Sequence, residues 1–383
     1  PIMGAAAFVM AEFLEVPYTT IVVAAIVPAM MHYIGVLSIV HFQAKRLGLK
    51  GMPAEEIPNL WRVLRRGWPT VLPLAVLIYV LFSGFSPNMA AFWGLSTALA
   101  VGLLNPMHRI GFRDIFDAAV LGVKYALAVG AVCAAIGIIV GVVNSTGLGF
   151  RLGFMVANSA REIAEGIMPL IGWFPLATFT TDGVTLLLSL ILIAITCILM
   201  GAGLPTTALY IMLATVAQPA LGNLGVPPLA SHLFVLYYGV ISEITPPVCA
   251  SAYAAAGIAG ANPFRTGVSA FTLGIAKLLV PMVFVYSPAM LIVIDTHFTL
   301  EAFLVTSITC AVGVFMLATS VAAYFLAPMP GIARAAMALG GILLVAPGVS
   351  SDIYAAAFAA PVLLQQIIAM RRNKAAEVLQ AGA

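Results

Sequence analysis

The chain has 383 residues, 62% of them apolar and only 8% charged, against about 45–50% and about 25% in soluble domains. Seventeen basic and 14 acidic residues cannot cover a soluble globule of this length, and a mean hydropathy of +1.11 says that most of the surface faces lipid. Soluble enzymes, nucleic-acid binders and disordered hubs are excluded, and a net charge of +3 says little about anionic partners.

A span needs about 20 apolar residues to cross ~30 Å of hydrocarbon at 1.5 Å per residue. The chain opens at Pro1 inside a proline-containing apolar phrase with no signal peptide, so it is expected to be the C-terminal portion of a longer polypeptide. Residues 18–40, 69–84, 89–104, 125–143 and 184–200 read as spans, followed by 268–286, 300–326, 332–349 and 353–370. The segment 41–68 carries Lys45, Arg46, Lys50, Arg62, Arg65 and Arg66 against Glu55 and Glu56, and the tail carries Arg371, Arg372 and Lys374. The positive-inside rule places both in the cytoplasm. Residues 109–124 read either as an amphipathic helix lying on the interface or as a solvated loop. Cys133, Cys197, Cys249 and Cys310 stand alone in apolar runs and read as buried small hydrophobes.

A shift of 246 residues lays Pro1-Ile2 on Pro247-Val248, Ala6 on Ala252, Pro17 on Pro263, Tyr18 on Phe264 and Thr20 on Thr266. Counting crossings from the cytoplasmic segment 41–68, with residues 231–261 entering and leaving on one side, points the two segments in opposite directions. Inverted repeats with interrupted helices are the architecture of secondary transporters.

Between residues 204 and 261 the hydrophobicity continues but is interrupted by Pro205, Pro219, Pro227, Pro228, Pro246 and Pro247. In the first interruption, Gly201, Gly203, Leu204, Pro205, Thr206 and Thr207 lie between apolar helical runs. Pro205 has no N–H and its ring clashes with the carbonyl of Gly201, while the two glycines let the backbone leave helical dihedrals cheaply. Carbonyls of residues 201–203 then lack partners at membrane depth, which a cation or a substrate donor would satisfy beside the Thr206 and Thr207 hydroxyls. A plain proline kink is the alternative. In the second interruption, Ser242, Glu243, Ile244, Thr245, Pro246 and Pro247 are again flanked by apolar helix. The prolines push Thr245 and Pro246 toward extended backbone, and Pro247 suits the first turn of a following helix. This predicts a re-entrant hairpin whose second arm aims its positive end at the tip; an extramembrane turn is the alternative.

Other polar residues carry weaker signals. Glu243 either carries a proton or caps and pairs. Lys277, in mid-span over 268–286, is expected to face protein and to pair with an acid. Asp182 lines a cavity or caps the helix that follows, and Asn144 and Ser145 contact substrate or merely end a helix. Neither H-E-x-x-H nor a phosphate-binding G-x-x-x-x-G-K-[ST] loop occurs, so no metal site and no cofactor are expected.

The run M-G-A-G-L-P-T-T-A-L-Y-I-M-L-A from Met200 to Ala214, then P-P-L-A-S-H-L-F and I-S-E-I-T-P-P-V-C-A-S-A-Y-A-A-A-G-I-A-G, resembles the large membrane subunit of the tripartite ATP-independent periplasmic (TRAP) transporters. The opening P-I-M-G-A-A-A-F-V-M-A-E-F and H-F-Q-A-K-R-L-G-L look most like the fused permeases of the TAXI branch. The resemblance covers residues 1–285; residues 286–383 look like a C-terminal transmembrane extension with a basic cytoplasmic tail. It implies an all-α polytopic fold with inverted repeats, re-entrant hairpins and broken helices, working as an elevator. It also implies a periplasmic substrate-binding protein and a small permease subunit or fused equivalent as partners, with no nucleic acid. Carried over, Gly201, Gly203, Pro205 and Thr206 match the second broken helix, Thr245, Pro246 and Pro247 the second hairpin tip, and Pro1 to Gly4 the exit of the first tip.

The expectation is a non-enzymatic, multi-pass permease of a bacterial or archaeal cytoplasmic (inner) membrane. It would import small organic acids (C4-dicarboxylates, keto acids or amino acids) with Na+ or, alternatively, H+ as coupling ion. A non-catalytic scaffold subunit is the first rival and an intramembrane enzyme the second.

Overall fold

The computed structural model describes residues 4–53, 55–104, 110–171, 180–294, 296–345 and 348–381. Helices dominate, and no strand occurs among the described residues. Six helices are long and apolar enough to cross a membrane. The chain forms two compact units: Ile2–Val22 with Lys50–Ile138, and Val23–Leu49 with Ile139–Ala383.

The smaller unit contains α1 (Ala5–Leu14), the first turn of α2 (Tyr18–Arg46), α3 (Leu60–Phe82), α4 (Pro87–Leu104) and most of α5 (Phe112–Thr146). Asn59 caps α3 by accepting the N–H groups of Trp61 and Arg62. The helix therefore starts earlier than the apolar run, and Arg62 and Arg65 belong to its first turns rather than to a loop. A turn through Gly84, at φ 84°, returns the chain into α4. There Gly94 lets the backbone approach Leu77: an added Cβ would stand 3.2 Å from that side chain. Both readings of 109–124, a separate surface helix and a solvated loop, are corrected. Residues 105–109 lie outside the described residues, and from Phe112 onward the chain is one 35-residue helix, α5.

The larger unit continues α2 and the end of α5, then adds α6 (Leu148–Ile171), α7 (Thr181–Met200), α8 (Thr206–Val216), α9 (Gln218–Asn223) and α10 (Pro228–Ile241). α6 was not among the expected elements. Arg151, Arg161, Glu162 and Glu165 spoil its apolar signal, and its buried stripe is made of small residues, Gly153, Ala160 and Ala164. Gly153 brings α6 onto α9, where an added Cβ would lie 2.9 Å from the Ala220 Cα.

α10 is buried on nearly every side from Ala230 to Gly239, as an all-round apolar helix should be. Since lipid is as apolar as leucine, close packing rather than water release holds such helices together. Gly239 supplies that approach, with the side chains of Leu213 and Leu209 where a Cβ would be. Phe234 and Tyr238 stack at 4.6 Å between ring centroids, and the buried Tyr210 hydroxyl meets His232 Nδ1 at 2.6 Å. Polar atoms buried at this depth need such partners.

Beyond α10 follow a 3-10 turn at Ser242–Ile244, α11 (Ala250–Ala259), α12 (Pro263–Gly274), a second 3-10 turn at Ile275–Leu278, and α13 (Leu279–Tyr286). The span expected over 268–286 lies within Pro263–Tyr286, one of the six runs long and apolar enough to cross a membrane, with a 3-10 turn at Ile275–Leu278 inside it.

The C-terminal helices are α14 (Leu300–Ala322), α15 (Gly331–Leu343) and α16 (Val349–Ala381). α15, with 13 residues, is about 20 Å long, shorter than the span expected over 332–349. Gly313 and Gly341 let α14 and α15 touch through their backbones, each placing an added Cβ under 3 Å from the other's carbonyl. Arg334 Nε donates to the Ser320 carbonyl at 2.9 Å while Ser320 Oγ donates to the Arg334 carbonyl at 2.8 Å. Gln366, 1% exposed, accepts the Ala327 N–H at 3.0 Å. Phe42 and Arg46 at the end of α2 join this group, through ring contacts with Phe315 and Phe325 and a hydrogen bond to the Ala322 carbonyl.

Candidate functional site

α7 ends where the glycines begin. Gly201 keeps helical dihedrals and donates to the Cys197 carbonyl at 3.0 Å. Gly203 then turns to φ 82°, a conformation open to glycine. Pro205 is extended and leads into α8, which no side chain caps. The expectation for the carbonyls holds only in part. Leu204 N–H occupies the Gly201 carbonyl at 3.3 Å, whereas among the described residues no backbone donor reaches those of Ala202 and Gly203. α8 presents the uncapped N–H groups of its first turn together with the Thr206 and Thr207 side chains, a partially positive end.

The second interruption starts one turn earlier than its prolines. Ser242 Oγ donates to the Gly239 carbonyl at 2.6 Å and Thr245 Oγ1 to the Ile241 carbonyl at 2.8 Å, so both hydroxyls spend their protons on the end of α10. Thr245 is extended, the Pro246-Pro247 peptide is cis, and α11 begins only at Ala250. Pro247 is therefore not in the first helical turn as expected; its carbonyl instead accepts the Tyr253 hydroxyl at 2.6 Å. The expected side-by-side hairpin of α10 and α11 is also modified. α11 packs along α12, and α10 against α7, α8, α9 and α13, because the extended residues between them carry the chain away from α10.

The two interruptions meet. An added Cβ on Gly201 would lie 2.6 Å from Ser242 Oγ, and one on Gly203 would lie 3.4 Å from the Val248 side chain. Thr206 Oγ1 donates to Glu243 Oε1 at 2.7 Å, joining the first turn of α8 to the end of α10 across 37 residues of sequence. α12 supports the second interruption from its other side. Gly267 faces Cys249 and Pro246, and Gly274, seven residues on, faces Ile244, each where a side chain would be. Gly201, Ser242 and Cys249 are buried, while Gly203, Pro205, Pro247 and Val248 are exposed, so the junction has a closed floor and an open rim.

The remaining expected positions lie elsewhere in the chain. Asp182 is exposed in the first turn of α7, at the opposite end from Gly201, and the cap there is Thr180, whose Oγ1 accepts the Gly183 N–H. Ser145, in the last turn of α5, donates to the Val142 carbonyl; the side chain of Asn144 lies outside the described residues. Gly4, at φ 64°, precedes α1, and Pro1 lies outside the described residues. Lys277, by contrast, lies over the Tyr237 ring, acts electrostatically on His32, and is itself acted on by Glu243. The mid-span lysine was the one visible signal for these contacts.

The family profile described as "Tripartite ATP-independent periplasmic transporter, DctM component" matches residues 1–300. The chain belongs to that family. As a DctM component it is a transporter permease and not an enzyme, and membership implies association with a substrate-binding protein and a small permease subunit. No curated protein and no solved structure gave a match. Both interruptions fall within the matched residues.

Proposed function

We propose that this DctM component is the carrier subunit of an ion-gradient-driven, binding-protein-dependent importer of small organic acids, C4-dicarboxylates, keto acids or amino acids. It works in a bacterial or archaeal cytoplasmic membrane with residues 41–68 and the basic tail in the cytoplasm. The observation that carries this reading is the Thr206–Glu243 bond between the two interruptions. Uncapped N–H groups at the start of α8 suit a carboxylate, and the Ala202 and Gly203 carbonyls, which no backbone donor among the described residues reaches, suit a cation. Residues 201–207 and 242–247 are the proposed ion and substrate site, which moves past a fixed scaffold in the manner of an elevator. Sodium is the coupling ion; Glu243, a carboxylate able to bind a proton, makes H+ the alternative.

The test is uptake of labelled succinate, 2-oxoglutarate and glutamate into proteoliposomes carrying the full transporter. The cognate binding protein is added, and an inward sodium or proton gradient is imposed. Uptake driven by one gradient, and lost when Pro246 and Pro247 are both replaced by alanine in protein that still inserts, supports the reading. Uptake of no acid under either gradient, or normal uptake in the alanine variant, refutes it.

A further inference from the structure

Lys277 takes no part in the site as read from sequence, yet three contacts dock its 3-10 turn and the end of α12 onto the end of α10 and the 3-10 turn that carries Glu243. Its Nζ lies 5.9 Å above the centre of the Tyr237 ring, a cation–π placement. Next door, the Tyr238 hydroxyl donates to the Leu278 carbonyl. Three residues before it, Gly274 receives the Ile244 side chain. Tyr237, Tyr238 and Ile244 all lie within seven residues of Glu243 in sequence, so the turn runs alongside the last part of α10 and the 3-10 turn that carries Glu243. The Glu243 carboxylate acts on the Lys277 ammonium through space, and no direct ion pair joins them. His32 of α2 also lies within the field of Lys277, with its Nδ1 buried and unpartnered. Tyr237 lies under the ammonium, and His32 and Glu243 are the titratable groups that interact with it electrostatically.

We propose that Lys277 is a tethered cation that neutralises Glu243 across this gap, leaving the Glu243 oxygen free to hold Thr206 and the start of α8 free to receive an anion. A lone carboxylate at membrane depth must find a counter-charge or a proton. A side-chain ammonium tethered to the chain fills that need without a free ion. An unneutralised carboxylate ~6 Å from a bound anion, at an effective dielectric of ~20, would weaken its binding about a hundredfold. Lys277 is thus a positioning residue. Its role toward a transported anion rests on the carrier reading; the pairing with Glu243 does not.

The test is thermal unfolding of the full chain in detergent, in sodium chloride and in choline chloride of equal strength, and needs no substrate. Lys277→Met and Glu243→Gln are each expected to lower the midpoint by about 5 °C or more, since each leaves one half-buried charge alone. The double variant should regain at least half of the summed loss. The Lys277→Met variant should also gain a sodium-dependent rise larger than that of the unaltered protein, because Glu243 now recruits a free cation, and the double variant should lose that gain. Additive losses, or an equal sodium response in Lys277→Met and the double variant, overturn the proposal. If Lys277→Met yields no folded protein, recovery of folded protein in the double variant supports the pairing and its failure refutes it. Failure of uptake in proteoliposomes would refute the carrier reading while leaving this result standing.

Discussion

Replacing Gly201 by alanine separates two physical effects of opposite sign. Gly201 sits at φ −75°, ψ −14°, where any residue is comfortable. On backbone grounds alone alanine should stabilise by about 0.5–1 kcal/mol, by removing freedom from the unfolded chain. The surroundings oppose this. The new methyl would stand 2.6 Å from Ser242 Oγ and 2.9 Å from both the Cys197 carbonyl oxygen and a Leu209 methyl. None of these can easily retreat. Ser242 is 2% exposed and bound to Gly239, Leu209 is fully buried, and the Cys197 oxygen is backbone that already holds the Gly201 N–H.

Overpacking of that kind costs about 1–3 kcal/mol, and pushing Ser242 off its acceptor adds about 0.5–1.5 kcal/mol. The net expectation is a loss of about 1–3 kcal/mol, read as a midpoint lowered by roughly 3–10 °C in a tryptophan-fluorescence melt. Gly203→Ala should lose a comparable 1–2 kcal/mol or so for another reason, its left-handed φ of 82°, since space is available beside Val248. Adding Ser242→Ala should therefore recover part of the loss in Gly201→Ala and none in Gly203→Ala. A Gly201→Ala protein as stable as the parent, or more so, would mean that the two interruptions do not touch, and the site as described would fall.

Two further substitutions follow from the same contacts. Thr206→Val keeps the shape but removes the donor to Glu243; the loss of a charge-assisted bond should cost about 1.5–3 kcal/mol in the same melt, whereas Thr206→Ser should cost well under half of that. Gly341→Val should force α14 and α15 apart against the Gly313 carbonyl, so that amide exchange measured by mass spectrometry quickens in α14 and α15 while α7, α8 and α10 stay protected; uniform quickening would contradict the local crossing.

What the sequence disclosed, and what it withheld, follows the range of the forces involved. Both interruptions were legible because proline and glycine act on their own backbone, within one turn of where they stand. The spans over α2, α4, α7, α14 and α16 were legible for a similar reason, since hydropathy is a property of the segment itself. α6 was missed because its buried side is Gly153, Ala160 and Ala164 and its other side carries charge. What makes it pack is the fit to Ala220, which no local pattern reveals. The 3-10 turn at Lys277 has the same origin: it is held by the Tyr238 hydroxyl and by Ile244 seated on Gly274, partners some 30 to 40 residues away. The side of α12 that receives Cys249, Pro246 and Ile244 shows only as Gly267 and Gly274 seven residues apart, a spacing that means close approach once the partner is known.

The internal repeat shows how far such a local signal reaches. Aligning the prolines requires a shift of 246, which pairs Pro17 with Pro263. The backbone requires 245. α1 and α11 each have ten residues, Ala5–Leu14 and Ala250–Ala259. Each ends on a left-handed residue, Glu15 at φ 53° and Gly260 at φ 61°. Each is closed by the same type of bond one residue later, Val16 N–H to the Ala11 carbonyl at 3.1 Å and Ala261 N–H to the Ala256 carbonyl at 2.9 Å. A proline is tolerated just before a helix as well as at its first position, so Pro17 precedes α2 while Pro263 opens α12, and the proline register is free to slip by one. A left-handed residue at a helix end is not free to slip, because the closing bond fixes where the chain must turn. The repeat is therefore a repeat of chain reversals, which prolines mark without setting. Between the halves, glycine at one reversal and glutamate at the other obey one geometry, although only the glycine advertises it.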